Sequence, residues 1–189
     1  MLTTSATEAA QYLTQGEVLA YPTEAVWGLG CDPANEQAFI KILEMKQRPM
    51  EKGVILLAGQ MSQVEHLLHS LPDHIRQQVI ESWTHQSPNQ RATTWLLPAD
   101  ESIPSWIQGQ HPLVAVRVTN HPLCTALCNA FNGFIVSTSA NPTGLMPARS
   151  LQEANQYFGA DLSYLNGDLG HNEQPSKIIN AVTQQIIRA

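Results

Sequence analysis

Short apolar runs recur along the chain, and each is long enough for a β-strand but too short for a buried helix. The longer runs are Glu17–Tyr21, Gly53–Leu57, Thr93–Leu97, Leu113–Val118 and Gly133–Ser137, and shorter ones lie near Leu162–Leu165, Ile178–Val182 and Gln185–Arg188. The run GVILL at Gly53–Leu57 has no polar position, which suits a central strand that is buried on both faces.

Helical segments separate these runs. Apolar residues at helical spacing predict helices over Thr4–Gln15, Glu36–Met45, Ser62–Leu68, Asp73–Trp83, Pro122–Phe131 and Ser150–Phe158. Ser150 and Glu153 have the spacing of a capping box at the start of the last helix. The alternation of strands and helices predicts an α/β fold, with a mixed sheet covered by helices.

The length and hydropathy of the chain limit its class. Its 189 residues, of which 43% are hydrophobic, suffice for one buried core, so we expect residues 1–189 to form a single domain. No stretch approaches the roughly 20 apolar residues of a membrane span, and the N-terminus lacks the basic region of a signal peptide. We therefore expect a soluble cytoplasmic protein that does not contact a membrane.

Charge is scarce in this sequence. Charged residues make up 14% of the chain and its formal net charge is −6, which argues against electrostatic binding of nucleic acid over the whole surface. An anion site must then come from a few local Lys and Arg residues. Cys31, Cys124 and Cys128 fit no metal-binding spacing, and we interpret them as small core residues.

Two polar segments follow strands or helices in the first third of the chain. The segment Tyr21–Gly30 contains Thr23, a carboxylate and two glycines that would let a ligand approach the backbone, although an ordinary strand-to-helix turn is the alternative. Lys46 and Arg48, with Lys52 nearby, lie beside Pro49, which predicts an extended segment with both cations on one side. Such a pair suits a phosphate or carboxylate, and a solvated loop is the alternative.

Two further candidates lie in the second half. Arg117 interrupts the apolar run LVAVRV, so it needs an anionic partner, either a structural Asp or Glu or a bound ligand. The segment Ser137–Gly144 has four hydroxyl side chains and Asn141 just after a strand, where ligands bind in α/β sheets, or it is a hydroxyl-rich turn. We find no Ser-His-Asp set, carboxylate pair or metal cluster, so the inventory suits anion binding, with catalysis by positioning and charge neutralisation.

Five segments, in this order, resemble the YrdC/Sua5 family. They read YPTEAVWGLGCDP (Tyr21–Pro33), KQRP (Lys46–Pro49), LVAVRV (Leu113–Val118), STSANPTG (Ser137–Gly144) and, more weakly, PSKI (Pro175–Ile178). The length is similar to that of the short, single-domain bacterial form. The resemblance implies a YrdC-like fold, a twisted mixed sheet with flanking helices and an open, locally positive central cavity.

The resemblance also implies a reaction. It is L-threonylcarbamoyladenylate synthesis, in which L-threonine, bicarbonate and ATP give threonylcarbamoyl-AMP and pyrophosphate for t6A modification of tRNA. The family's Lys-Arg-Ser-Asn set falls on Lys46, Arg48, Ser139 and Asn141, which we expect to be catalytic. Further expected substrate-binding residues are Thr23, Lys52, Thr94, Arg117, Ser137 and Ser176. Mg²⁺ is expected to arrive with ATP, held mainly by ATP oxygens and water, with no metal site of the protein's own.

One segment departs from the family pattern. The family's Trp-Pro-Gly-Pro-x-Thr is replaced after Trp83 by THQSPNQRATTWLLP, which lacks the Pro-Gly-Pro and is longer before Pro98. Within this segment we align Thr94 with the family's Thr. The geometry of this loop over the nucleotide therefore cannot be carried over from the family.

Two other functions compete with this one. The first is a non-catalytic factor for double-stranded RNA or ribosome maturation. The negative net charge of the chain argues against this function, and we expect binding to tRNA or duplex RNA to be weak and lost in high salt. The second is a related carbamoyl transfer from carbamoyl phosphate, whose enzymes usually carry zinc-finger motifs that this chain lacks. Proteins that transfer the product to tRNA are the expected partners of the synthase.

Overall fold

Ten strands form one mixed β-sheet in the computed structural model, which describes residues 1–49, 53–85, 90–109, 111–172 and 174–189. The strands are β1 (Leu2–Thr3), β2 (Leu19–Pro22), β3 (Trp27–Gly30), β4 (Ile55–Ala58), β5 (Thr93–Pro98), β6 (Leu113–Val118), β7 (Ile135–Ser139), β8 (Ser163–Leu165), β9 (Lys177–Asn180) and β10 (Ile186–Arg188). Their order across the sheet is β1-β8-β2-β3-β7-β4-β6-β5-β9-β10. The predicted mixed α/β sheet is thus confirmed, with GVILL supplying the central strand β4.

Six α-helices flank the sheet within the described residues. They are α1 (Ala6–Thr14), α2 (Glu36–Lys46), α3 (Asp73–Thr84), α4 (Ser105–Gln108), α5 (Pro122–Phe131) and α6 (Leu151–Phe158). Side chains cap four of them: Ser5, Asn35, His121 and Ser150 each accept a hydrogen bond from a backbone N–H of the first turn. No helix among the described residues is long and apolar enough to cross a membrane.

Alternate residues of the central strands face two separate apolar clusters. One face contributes Ala20, Leu56 and Val116 to the larger cluster, which also includes residues of α2 and α3. The opposite face contributes Leu19, Leu57 and Ile135 to a smaller cluster beneath α1 and α5. Because side chains alternate along a strand, Arg117, Thr94 and Ser137 belong to the second face.

The segment Tyr21–Gly30 is a β-hairpin, so the alternative interpretation as a strand-to-helix turn is wrong. Strands β2 and β3 pair antiparallel, with Tyr21 opposite Gly28, and Thr23 closes the turn by donating to the Val26 carbonyl. Protein atoms fill the space beside the two glycines. A Cβ at Gly28 would lie 3.3 Å from the Tyr21 ring, and one at Gly30 would meet that ring at 2.9 Å and the Val136 carbonyl.

Other sequence expectations also need correction. Ser62–Leu68 is two short 3-10 segments, Met61–Gln63 and Glu65–Leu68, rather than one α-helix. The capping box at α6 is altered, because Glu153 accepts a hydrogen bond from the N–H of Arg149, one residue before the cap. Strands β1 and β3 and helix α4 were not predicted, since each is too short to show a period.

We predict that Gly30→Ala lowers the free energy of unfolding by roughly 1–3 kcal/mol, the usual cost of forcing a methyl group into a packed site. The added Cβ must both displace the Tyr21 ring and push β3 away from the Val136 carbonyl of β7. Gly133→Ala is the matched control, since its Cβ would meet the nearest atoms, in Phe131, at 3.8 Å. Urea unfolding of both variants measures the effect, and equal stability of the two would contradict this packing role.

Candidate functional site

Lys46 connects the end of α2 to the segment that follows β7. Its side chain is buried, and its ammonium donates hydrogen bonds to the carbonyl of Ser139 and, at 2.8 Å, to that of Asn141. A backbone hydrogen bond joins the same two segments, because the Thr143 N–H donates to the Lys46 carbonyl at 2.7 Å. Three of the four residues expected to be catalytic, Lys46, Ser139 and Asn141, therefore lie together.

The backbone between Lys46 and Arg48 is not extended, which corrects the sequence expectation. Lys46 is the last helical residue, and Gln47 has φ 49°, the left-handed conformation of a helix C-terminus. The Arg48 N–H then reaches back to the Leu43 carbonyl at 2.9 Å, so the chain turns sharply despite Pro49. The two cations are nevertheless close, and Arg48, whose guanidinium donates to the Gly53 carbonyl, adds to the effect of burial in lowering the pKa of Lys46 to about 8.

Asn141 uses one side of its amide to hold the loop. Its Nδ2 donates to the carbonyls of Pro142 and Leu145, at 3.0 and 2.8 Å. Its Oδ1 is buried and has no hydrogen-bond partner in the described part of the chain. A buried amide oxygen without a donor is costly, so this atom marks a place where a ligand donor would fit.

Arg117 forms an ion pair with Glu24, so a structural carboxylate meets the need for an anionic partner. Arg117 Nη2 lies 3.3 Å from Glu24 Oε2, and both side chains are buried. Thr119 donates to the other carboxylate oxygen at 2.6 Å. Burial would raise the pKa of Glu24, but the Arg117 charge and the Thr119 hydrogen bond outweigh it and lower that pKa.

The ion pair is close in distance but poorly aligned for hydrogen bonding. Glu24 Oε2 and Arg117 Nε are both buried without a hydrogen-bond partner among the described residues. Glu24 was part of the motif noted in the sequence, but it was not assigned to the site or paired with Arg117. The requirement that a buried Arg has a carboxylate partner was the signal that could have identified it.

Thr23 lies in the turn of the hairpin, and Ser137 lies on β7, the strand that pairs with β3. Ser137 is buried on β7 close to the Tyr21 hydroxyl, and it partly offsets the effect of burial, which raises the pKa of Tyr21. Thr23 is buried as well, and its hydroxyl hydrogen is committed to the Val26 carbonyl at 2.8 Å. Each hydroxyl oxygen can still accept a hydrogen bond.

Thr94 and Ser176 meet at the other end of the same face. Their hydroxyls are 2.7 Å apart, which fits the alignment that placed both residues from short motifs. Arg188 on β10 donates to the Ser176 carbonyl and, at 3.2 Å, to its hydroxyl. Sequence reasoning missed Arg188, although a lone Arg in the apolar run Ile186–Arg188 is the same signal as Arg117.

The sheet register brings these groups onto one surface. Leu57 on β4 lies between Arg117 on β6 and Ile135 on β7, and Ile55 lies opposite Ser137. Continuing the register of β5 with β6 places Thr94 beside Arg117. The polar face thus runs from the loop at Ser139–Asn141, past Ser137 and Arg117, to the Thr94–Ser176 pair.

Two other expected features, Lys52 and a central cavity, are not tested by the described residues. Lys52 lies outside the described residues, so its role stays a prediction. The central cavity implied by the resemblance also stays a prediction. Two concavities are found. One of about 480 Å³ is lined by Glu24, His121 and Asp168 and so borders the Glu24–Arg117 pair, whereas one of about 430 Å³, near Lys41 and Asp161, is lined by none of the expected site residues.

The described residues contain no group of three or more His, Cys, Asp or Glu side chains that could hold a metal ion. The three cysteines are buried, and burial raises the pKa of each thiol, to about 12 for Cys128, so they are protonated near neutral pH. Besides the Glu24 carboxylate, the polar face presents cations, hydroxyls and one amide, which are groups suited to binding anions and to neutralising developing negative charge.

One family model and several named bacterial proteins are similar to this chain. The family model Sua5_yciO_yrdC, described as telomere recombination, matches residues 11–189. A threonylcarbamoyl-AMP synthase of Acinetobacter baumannii is 73% identical over 188 residues, covering 100% of both chains. A threonylcarbamoyl-AMP synthase of Cellvibrio japonicus is 46% identical over 181 residues, covering 95% of this chain and 93% of its own.

A solved structure is similar as well. Sua5 of P. abyssi, complexed with L-threonine, matches with a TM-score of 0.81 and 26% sequence identity. The match covers 96% of this chain and 52% of that chain, so this chain spans about half the length of that protein.

The lowered pKa of Lys46 predicts a pH-dependent contribution to stability. Its folded value, about 8, lies below the usual 10.5, so between these values the unfolded chain binds more protons and stability rises with pH. We expect the unfolding free energy of the parent, relative to Lys46→Met, to increase from about pH 7.5 to about pH 10. Lys41→Met, at an exposed position of the same helix, is the control. A parent–variant difference that is constant over this range would contradict the prediction.

Proposed function

We propose that this chain, which belongs to the Sua5/YciO/YrdC family, is a threonylcarbamoyl-AMP synthase that uses L-threonine, bicarbonate and ATP. The observation that carries the proposal is the 73% identity, over the full length of both chains, to a protein of that activity. The polar face of the sheet supports it, because its cations and hydroxyls match the anionic and hydroxyl-bearing groups of these substrates.

The reaction needs charge neutralisation more than it needs acid–base groups. The amine of threonine adds to bicarbonate with loss of water and gives a carbamate. A carbamate oxygen then attacks the α-phosphorus of ATP, a P–O bond forms, and the bond to pyrophosphate breaks. Negative charge accumulates on the phosphates, so fixed cations that are already in place stabilise the transition state.

Lys46 and Arg48 are the cations that we assign to the phosphates. An ammonium has three donors, and the contacts with Ser139 and Asn141 leave one for a phosphate oxygen. Burial lowers the pKa of both side chains, and an incoming polyanion would stabilise their charged forms. Arg188, beside Thr94 and Ser176, extends this positive surface.

Two of the buried polar atoms that have no hydrogen-bond partner among the described residues support roles in substrate binding. We assign the Nε of Arg117 to an anionic group such as the threonine carboxylate, and the Oδ1 of Asn141 to an N–H or O–H donor of a substrate. We assign the hydroxyls of Ser137 and Ser139 on β7, and that of Thr23 in the hairpin turn beside Glu24, to the threonine and phosphate oxygens. Lys52, Thr94 and Ser176 complete the proposed set.

Magnesium is proposed as part of the nucleotide substrate. Mg²⁺ commonly binds through substrate phosphates and water with few protein ligands, and hydroxyl groups and cations are what the polar face offers. The product is proposed to pass to proteins that complete t6A modification of tRNA, and we infer a cytoplasmic location from that role.

The two competing functions have less support. A double-stranded RNA factor needs a broad basic surface, whereas the formal net charge of this chain is −6. Carbamoyl transfer from carbamoyl phosphate would not require threonine. Substrate dependence therefore separates the three functions.

We predict that pyrophosphate release from ATP requires threonine and bicarbonate together. The measurement is a coupled pyrophosphate assay in which each substrate is omitted in turn. Serine in place of threonine is the matched control for side-chain recognition, and we expect slower release with it. Equal release without threonine would indicate a plain ATPase and would contradict the proposal.

Asn141→Ala should reduce affinity for at least one substrate by roughly ten- to a hundredfold, since a hydrogen bond to a charged group contributes about 1.5–3 kcal/mol. Calorimetric titration with ATP and with threonine identifies which substrate contacts Oδ1. Asn155→Ala, at an exposed position of α6, is the control, and its affinities should equal those of the parent. If Asn141→Ala binds both substrates like the parent, the amide only holds the loop.

A further inference from the structure

Arg91 lies in the segment that departs from the family's Trp-Pro-Gly-Pro-x-Thr pattern. It precedes β5 by two positions and is partly exposed. Its Nε donates a hydrogen bond to the Pro175 carbonyl, which ties this segment to the chain just before β9. Neither the family pattern nor the motifs noted in the sequence assign a role to a cation at this position.

Arg91 and Arg188 are anchored on consecutive carbonyl groups. Arg188 donates to the carbonyl of Ser176 through Nε at 2.9 Å and through Nη2, while Arg91 holds the carbonyl of Pro175. Arg188 also donates to the Ser176 hydroxyl of the Thr94–Ser176 pair, whereas Arg91 is held at the preceding residue. The pKa of Arg188 is lowered by burial and then by the charges of Arg91 and Arg117, which agrees with this proximity.

This cluster contains more positive than negative charge. Glu24 is paired with Arg117, and among the described residues no carboxylate lies within ion-pair distance of Arg91 or Arg188. Like charges that are close together and partly shielded from water repel each other, and an anion between them removes that cost. A guanidinium presents a planar fork of donors that fits phosphate oxygens.

We propose that Arg91 is a polyphosphate-binding residue that acts beside Arg188, taking the β- and γ-phosphates of ATP and the same groups in the pyrophosphate product. The identity of the anion rests on the proposed function. The bond from Nε to Pro175 orients the guanidinium and leaves its two terminal nitrogens for phosphate oxygens. The altered segment before β5 thus supplies a side-chain cation where the family pattern has Pro-Gly-Pro.

The test uses Arg91→Gln and Arg91→Lys in the full chain. Dissociation constants for ATP, inorganic pyrophosphate and L-threonine are measured by calorimetry at one fixed, low salt concentration, because salt screens such contacts. Arg91→Gln should bind ATP and pyrophosphate about two- to fivefold more weakly, the size expected for a partly exposed charged contact, and threonine with an unchanged constant. Arg91→Lys, which keeps the charge without the fork, should lose less.

Arg76→Gln is the matched control, since it removes one positive charge from α3, where Arg76 pairs with Asp73. It should bind all three ligands like the parent. Unchanged binding of both polyphosphates by Arg91→Gln would overturn the proposal. So would a loss that Arg76→Gln reproduces, or an equal loss of threonine affinity, because each would indicate an effect of net charge or of folding.

The result does not depend on turnover. Pyrophosphate binding is measured without threonine or bicarbonate, so a parent protein that fails to make threonylcarbamoyl-AMP would refute the proposed function and still allow this test. A parent that is active while Arg91→Gln binds pyrophosphate normally would refute the role of Arg91 alone.

Discussion

The buried ion pair between Glu24 and Arg117 is the interaction on which the arrangement of the site depends. Two charges removed from water are costly unless each has close partners, and here Thr119 provides a second one for Glu24. Because Glu24 lies in the turn of the β2–β3 hairpin and Arg117 on β6, the pair fastens that turn to the middle of the sheet. The loop at Gly170 and Asn172 closes over the turn through backbone hydrogen bonds to Thr23 and Glu24.

The hydrogen bonds of Lys46 fix the position of the other end of the polar face. Lys46 joins the C-terminus of α2 to the segment after β7, so that segment is held between a helix and the sheet. Both links bury a cation, and near each of them a polar atom has no hydrogen-bond partner within the described ranges, namely the Arg117 Nε and the Asn141 Oδ1. A substrate that satisfied these atoms would gain more than it would from solvated groups, and this is the physical basis of the anion site that we propose.

The sequence predicted the parts of this structure that depend on local patterns. Apolar runs located the long strands, and the isolated Arg117 correctly required an anionic partner. The identity of that partner depends on the sheet order, which brings Glu24 to β6 through tertiary contacts that no periodicity reveals. Pro49 suggested an extended chain at Lys46, but the left-handed Gln47 ends the helix with a sharp turn. Arg188 was missed because its neighbour Ser176 is reached only through the pairing of β9 and β10.

A double-mutant cycle on Glu24 and Arg117 tests most directly whether this pair organises the site. Unfolding free energies are measured for Glu24→Gln, Arg117→Met and the double variant. We expect the two single losses to sum to at least about 1 kcal/mol more than the loss in the double variant, because each single change leaves a buried charge without its partner. Losses that add to within about 0.5 kcal/mol would show that the two residues act independently and would contradict the account.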